Sequence, residues 1–422
     1  MAAKYSIPRG TFDILPENSY KWKYLKTTFK KVCETFCFKE ITTPIFEKAE
    51  LFERSSGESS DIVQKEMYKF TDKKGRVFAL RPEGTAPVVR SFVENNLDKS
   101  SPVNKLFYYG PMFRYDRPQK GRYRQFYQFG AENFGSKTPY SDAEMIAMAY
   151  SFIKKLGLKN IRLEINSLGT KSSMENYDQA LKEYFTPHFD DLCPDCQKRL
   201  EKNPKRLLDC KVKSCKQIAK DAPNLLEYLS DEDAKHFEEV QKFLKLMNVP
   251  FVINPKIVRG LDYYTNTVFE FLNDNLGAQN AIIAGGRYNN LVSEVGGNNV
   301  PAIGFAGGFS RLLLSLEIEN LFMGEQSKPD IYFAAIGQEV KESATKIIQE
   351  LRINGFKVEF DFEKGSLKSQ LKSANKLKTR FVAIYGEDEI QKKSLVIKDF
   401  FDSSQEEILV KDVINYFSKK IS

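Results

Sequence analysis

The chain has 422 residues, 41% hydrophobic and 28% charged, a composition that suits a globular protein with room for two or three domains. Sixty-four Lys and Arg against 56 Asp and Glu leave a net charge of +8, which permits a polyanionic partner without requiring one. No apolar run is long enough to span a bilayer, and the start, MAAKYSIPRGTFDILP, carries no apolar signal segment, so no membrane role is expected and a cytoplasmic protein is.

Residues 17–36 predict an amphipathic helix, with Trp22, Leu25, Phe29, Val32 and Phe36 recurring at three and four. Residues 40–46, EITTPIF, predict a strand, and Pro44 marks an edge or bulge that suits a subunit interface as well as a sheet end. Next, DKKGRVFALRPEGTAPVVRSFV predicts a turn at Lys74-Gly75, a strand over 77–80 and a helix from about Ala86. Thr85 reads as its N-cap with Pro87 in the first turn. Glu83 has no structural duty in that reading and is a candidate ligand-facing carboxylate.

Residues 106–134, LFYYGPMFRYDRPQKGRYRQFYQFGAENF, hold two aromatic-rich runs, 106–115 and 125–134, around Pro118 to Gly121. Aromatic enrichment and that punctuation predict a hairpin. Between Arg114 and Arg124 stand five cations and one carboxylate, Asp116, a loop suited to phosphate. Alternation puts Gln128, Gly130 and Glu132 on one face and Tyr127, Phe129 and Ala131 on the other, the expected core side. A polar pair on a buried face needs partners from protein, water or ligand. A solvated face with a charged tip is the plain alternative.

Residues 141–157 predict a helix and 161–165 a strand, after which the chain from 167 to about 248 turns polar and helical, as an inserted subdomain would. It contains Cys193, Cys196, Cys210 and Cys215 as C-x2-C-x13-C-x4-C. Reduced thiols or a metal are favoured over disulfides there, but the second pair is spaced wider than a zinc knuckle, and no metal ligand is assigned. With only His188 and His236, neither in a motif, histidine-base catalysis is not expected. RGLDYY at 259–264 offers a cation beside a glycine, and Tyr263 and Tyr264 read either as strand aromatics or as ligand contacts. Residues 281–284 predict a buried strand, and 301–308 a glycine-rich run opening a helix with Arg311 in its first turn, an arrangement suited to nucleotide contact. No G-x-x-x-x-G-K-[ST] is present. After a linker at 324–329, strands and helices alternate as a small α/β domain, and residues 364–380 hold six cations and no acid, with Lys364, Lys368, Lys372 and Lys376 every four residues. A solvated lysine face and a nucleic-acid surface both fit that row.

RPEGTAPVVR, FRYDRPQKGRYRQFYQFGAENFG, RGLDYYTNTVFEF, GGRYNNLV and GFAGGFSRLLL, in that order, resemble the successive signatures of bacterial-type histidyl-tRNA synthetases, which are class II aminoacyl-tRNA synthetases. The resemblance implies an α+β fold: a class II catalytic core on an antiparallel sheet over residues 1–325, with a helical insertion at about 167–250 near the tRNA acceptor arm, and an α/β anticodon-binding domain over 329–422. It implies ATP-dependent activation of L-histidine, Mg²⁺ as cofactor, transfer to tRNA(His), and a homodimer built through the segment ending at Pro44. Carried over residue by residue, Arg259 and Arg114 hold the carboxylate and α-phosphate, and Arg114, Arg122 and Arg311 serve ATP. Glu83, Thr85 and Gln128 take the amino group, Glu132 with Tyr264 the imidazole, and Tyr263 completes the pocket. Gln119, Lys368 and Lys372 are the implied tRNA contacts. One departure is Ser310, where an acidic residue normally precedes the arginine; the orientation of Arg311 is then expected to rest on another carboxylate. A related non-catalytic regulatory subunit normally lacks both RGLDYY and the C-terminal domain.

Overall fold

The computed structural model describes residues 5–56, 60, 62–118, 121–208, 210–257, 263–277, 280–363 and 366–421. They fall into two compact units, Met1–Gly324 and Glu325–Ser422.

In the first unit the described strands are β1 (Lys39–Glu40), β2 (Phe46–Lys48), β3 (Lys69–Thr71), β4 (Val77–Leu80), β5 (Asn104–Phe113), β6 (Gln125–Phe134), β7 (Ile161–Ser167), β8 (Val252–Ile253), β9 (Thr265–Asn273), β10 (Ala281–Arg287) and β11 (Ala302–Gly308). Eight form one sheet in the order β1-β5-β6-β11-β10-β9-β7-β8. Its six inner strands pair antiparallel. The short edge strands β1 and β8 pair parallel. Strands β2, β4 and β3 make a separate small sheet.

The predicted strand over 40–46 is broken in two. Pro44 has no N–H to give a ladder, and the carbonyls of Thr43 and Pro44 accept instead from the Arg81 guanidinium at 2.9 and 3.2 Å. Arg81 also donates to Pro111 O at 2.9 Å, fastening this segment to β5. Within the glycine-rich run 301–308, Ala302–Gly308 form β11, whose glycines let it lie close between β6 and β10, and helix Phe309–Ile318 follows with Arg311 in its first turn as predicted.

Helix Pro16–Thr35 buries Trp22, Leu25, Phe29 and Val32, the stripe its spacing predicts. Phe29 meets the rings of Phe107, Phe129 and Phe152 at 5.9, 4.8 and 5.2 Å. Each aromatic so buried contributes about 1.5–3 kcal/mol. Phe152 belongs to helix Pro139–Lys155, so the two long helices cover one face of the sheet and leave the other for the site. The polar segment after β7 is helical, with helices Lys171–Phe185, Pro194–Lys202, Lys213–Ala219 and Asp231–Leu246. Asp233 ties it to the sheet, accepting from Thr170 N at 2.7 Å, Ser173 Oγ at 2.8 Å and Asn266 Nδ2 at 2.7 Å.

The second unit has a five-stranded sheet built from β12 (Ile331–Ala335), β13 (Val358–Phe360), β14 (Phe381–Tyr385), β15 (Ser394–Asp399) and β16 (Gln405–Leu409), ordered β13-β12-β14-β15-β16. The first three strands are parallel, as the alternation with helices predicts. Two antiparallel strands and helix Val413–Ile421 follow. Ile331, Phe333, Leu351, Phe381 and Phe417 form its core.

Candidate functional site

Strand β6 divides its residues as alternation predicts. Phe129 and Ala131 join the core under the long helices, while Gln128 and Glu132 point to the opposite face and are nonetheless buried. Space for the carboxylate comes from the neighbouring strand: Gly304 of β11 stands opposite Glu132, and a Cβ there would lie 1.6 Å from Glu132 Oε2. Thr85 Oγ1 donates to Glu132 Oε1 at 2.8 Å, and the Tyr288 hydroxyl donates to Oε2. Burial dominates and pushes the Glu132 pKa up to about 8 against the help of those two hydroxyls, with Glu83 pushing the same way.

Glu83 has the structural duty its sequence position hid. Its carboxylate accepts from Thr85 N at 2.6 Å and Ala86 N at 2.8 Å, capping helix Thr85–Glu94 from just outside. Gly84 occupies the N-cap position expected of Thr85 and makes no side-chain cap; the glutamate supplies the missing acceptor and leaves the Thr85 hydroxyl free to reach Glu132. Burial again raises the Glu83 pKa, opposed by the two backbone N–H groups and by Arg114. Gln128 completes the connection, its Oε1 accepting from Gly84 N at 2.9 Å.

Tyr263 and Tyr264 are buried. Their rings lie 4.6 Å apart, and Tyr263 sits 5.6 Å from Tyr288. Tyr264 packs on Gly286, where a Cβ would meet its ring at 2.9 Å. Two residues of this cluster were not singled out by sequence reasoning. Tyr288 lies in the GGRY segment, one residue past the end of β10, where strand alternation ceases to apply. Tyr108 faces Gly130 across the β5–β6 pair, and its ring fills the space that Cβ atoms at Gly84 and Gly130 would take. Its buried hydroxyl lies beside Thr85 and Glu132.

Beyond this buried pocket opens a cleft of about 230 Å³ lined by Arg114, Arg122, Gln128 and Arg311, with Asp116 as the one carboxylate among its described residues. Arg114 Nε donates to Pro82 O at 2.8 Å and its guanidinium lies 5.4 Å from the Phe126 ring. Arg122 pairs with Asp116 at 2.9 Å. Arg311 is oriented by a backbone carbonyl, Ala281 O at 2.6 Å. Burial, then Arg122 and Arg114, lower the Arg311 pKa, and Asp116 acts weakly the other way. Three guanidiniums converging in one cleft repel one another and are neutralised by a polyphosphate.

The site is braced from behind. Arg287, fully buried, donates to Asp142 at 3.1 Å through Nε, to Ser141 Oγ at 3.0 Å and to Ser136 O at 2.8 Å. Asp142 also meets His236 Nε2 at 2.8 Å and accepts from Thr267 Oγ1 at 2.7 Å. Burial raises the Asp142 pKa, but Arg287 and His236 outweigh it and the net shift is downward.

Arg259 and Gln119 lie outside the described residues. Lys368 and Lys372 are exposed on helix Leu367–Lys376 of the second unit. Arg380, counted with them in sequence, is engaged by Asp399 at 2.9 Å. The four clustered cysteines, to which spacing assigned no metal, come together, their Sγ atoms all within 4.8 Å of one another. The rest of helix Pro194–Lys202 beyond Cys196 and the 3₁₀ turn Pro204–Leu207 lie between the two pairs, which converge on one point in a way spacing cannot reveal.

No helix among the described residues is long and apolar enough to cross a membrane. The family model described as Histidyl-tRNA synthetase matches residues 10–312, and that described as Anticodon binding domain matches residues 330–420. The chain is 46% identical to the histidine–tRNA ligase of Caldanaerobacter subterraneus subsp. tengcongensis, over 96% of this chain and 97% of that one. It is 47% identical to the histidine–tRNA ligase of Bacillus licheniformis, over 98% of each. The apo crystal structure of S. aureus histidyl-tRNA synthetase superposes with a TM-score of 0.84 at 37% identity, covering 98% of this chain and 99% of that one. With the buried Glu132 pocket, the arginine-lined cleft and both domain matches in place, the chain belongs to the histidyl-tRNA synthetase family.

Proposed function

We propose that the pocket around Glu132 binds L-histidine and that the adjoining arginine cleft binds ATP. Family membership carries the overall reaction: the chain is an ATP-dependent ligase that charges tRNA(His) with histidine through an adenylate. The observation that supports the division of labour is the buried Glu132 carboxyl, held by Thr85 and Tyr288, beside a cleft with three guanidiniums.

Neutral imidazole offers one donor and one acceptor. Glu132 and Tyr264 are proposed to meet them, with Tyr263 closing the pocket. Glu83, Thr85 and Gln128 receive the ammonium, whose charge offsets the carboxylate of Glu83; each of that carboxylate's oxygens keeps a lone pair beyond the one used by the helix N–H groups. Arg114 and Arg259 hold the histidine carboxylate and the α-phosphate, and Arg122 and Arg311 the rest of the triphosphate. In the first step a histidine carboxylate oxygen bonds to the α-phosphorus and the bond to the bridging oxygen breaks, releasing diphosphate. In the second the 3′-terminal hydroxyl of the tRNA attacks the activated carbonyl and AMP leaves. Both steps call for positioning and charge stabilisation more than for a strong base.

The described cleft lining carries one carboxylate, Asp116, already paired with Arg122. That suits Mg²⁺ arriving on the phosphates of ATP, where it would offset their charge. Gln119, Lys368 and Lys372 are the proposed tRNA contacts. A second copy of the chain is proposed to cover the β2–β4–β3 sheet, which exposes Phe46 and Phe70 side by side, their rings 5.9 Å apart. A cytoplasmic location follows from the substrates of the reaction.

ATP–diphosphate exchange measured with each amino acid tests the reading. Exchange with histidine alone is expected; exchange with another amino acid, or with none, would overturn it.

A further inference from the structure

We propose that Cys193, Cys196, Cys210 and Cys215 bind one zinc ion in a closed tetrahedral site that holds the insertion together. Their four Sγ atoms lie within 4.8 Å of one another, with Cys193 and Cys210 at 3.9 Å. Zinc–sulfur bonds of about 2.3 Å place tetrahedral sulfurs about 3.8 Å apart, so small inward shifts complete the geometry. All four cysteines are free thiols. An all-sulfur set with four ligands leaves no open position, which marks the site as structural rather than catalytic.

The surroundings suit a thiolate centre. Cys193 N donates to Cys215 Sγ at 3.2 Å, a backbone hydrogen bond of the kind that holds a coordinated sulfur in place. Cys196, Cys210 and Cys215 are buried in a cluster with Leu181, Phe185, Leu192 and Leu207, which keeps water away. Residues 193–220 carry nine Lys and Arg against three Asp and Glu, and this excess of cations offsets the two negative charges of a zinc tetrathiolate. Binding replaces four thiol protons by one divalent cation, with four protons released.

The elements involved need such a tie. Cys193 stands just before helix Pro194–Lys202, Cys196 lies in its first turn, Cys210 follows the 3₁₀ turn Pro204–Leu207, and Cys215 lies in helix Lys213–Ala219. Pieces of nine, four and seven residues are too short to persist alone. One ion joining them does what a larger apolar core would otherwise have to do.

The test is metal analysis of the full-length chain, purified under reducing conditions without chelator, incubated with zinc and dialysed. About one tightly held zinc per chain is expected, released only as a mercurial reagent titrates four thiols. Replacement by cobalt is expected to give the intense charge-transfer and ligand-field bands of a tetrahedral thiolate site, read on the wild-type protein and thus independent of whether serine variants fold. Cys196→Ser and Cys210→Ser are expected to lose the metal. Zinc well below stoichiometric amounts, two disulfides by mass, or the absorbance of an iron–sulfur cluster would each overturn the proposal.

Discussion

The Glu132 carboxyl offers the sharpest physical test of the pocket. Its pKa rises from 4.5 to about 8 because burial disfavours the anion, so the folded ligand-free protein binds a proton there that the unfolded chain releases. The associated stability is complete below about pH 4.5 and is lost as pH climbs through about 8, the reverse of a salt-bridged carboxylate. The shift corresponds to about 5 kcal/mol across that window. Glu132→Gln replaces the titrating group with a neutral one of the same shape, and the hydroxyls of Thr85 and Tyr288 can still hydrogen-bond to it. Relative to wild type, the variant is expected to gain stability with rising pH, moving the difference in Tm by on the order of 10 °C between about pH 5 and about pH 8.5. Paired thermal unfolding of both ligand-free proteins at each pH reads this, and the carbon-13 shift of a labelled Glu132 carboxyl follows the titration directly. A difference that stays flat with pH would refute the reasoning. The same variant is expected to raise the KM for histidine about two- to tenfold, the cost of a lost hydrogen bond between neutral groups.

Asp142→Asn leaves the fully buried Arg287 without its counter-charge and is expected to cost about 3–5 kcal/mol in denaturant unfolding. Gly304→Ala thrusts a methyl group into Glu132 Oε2; a rise in KM for histidine with the KM for ATP unchanged is expected, and equal effects on both would contradict the assignment of the pocket. Arg259→Ala is expected to suppress adenylate formation far more than histidine binding, as a charge that counts most in the transition state must; equal losses in a binding titration and in diphosphate exchange would sink that role. Combined Lys368→Glu and Lys372→Glu replacement is expected to weaken tRNA binding and flatten its salt dependence, leaving tRNA-free exchange intact. Unchanged tRNA affinity would remove that helix from the contact surface.

The elements legible in the sequence were those with a strict period. The stripe from Trp22 to Val32 and the alternation along β6 predicted which residues enter the core and which face the pocket, because burial of one face enforces the pattern. Local signals misled where a long-range partner decided the outcome. Arg81 broke the strand expected over 40–46 by taking its carbonyls. The glycine-rich run before Arg311 opens a helix as predicted, and its pairing on both sides as strand β11 is a long-range outcome that local signals do not carry. Glu83 looked idle because the cap was credited to Thr85, although two backbone N–H groups point at the glutamate. Tyr288, Tyr108 and the Asp142–Arg287 pair are joined to the site only through contacts between distant segments, and the convergence of the cysteines depends on three short turns of helix. None of these leaves a periodic trace.

The position of Glu83 also constrains how such a pocket can change over time. A carboxylate that ends a helix, and is proposed to meet the substrate as well, cannot be traded for a new preference without loosening the backbone that presents Thr85. Tyr263, which packs on the rings of Tyr264 and Tyr288, ends no helix. Drift toward a different ligand has an open path through the aromatic wall and a closed one through the acid, so the wall is where natural variants of altered selectivity should accumulate.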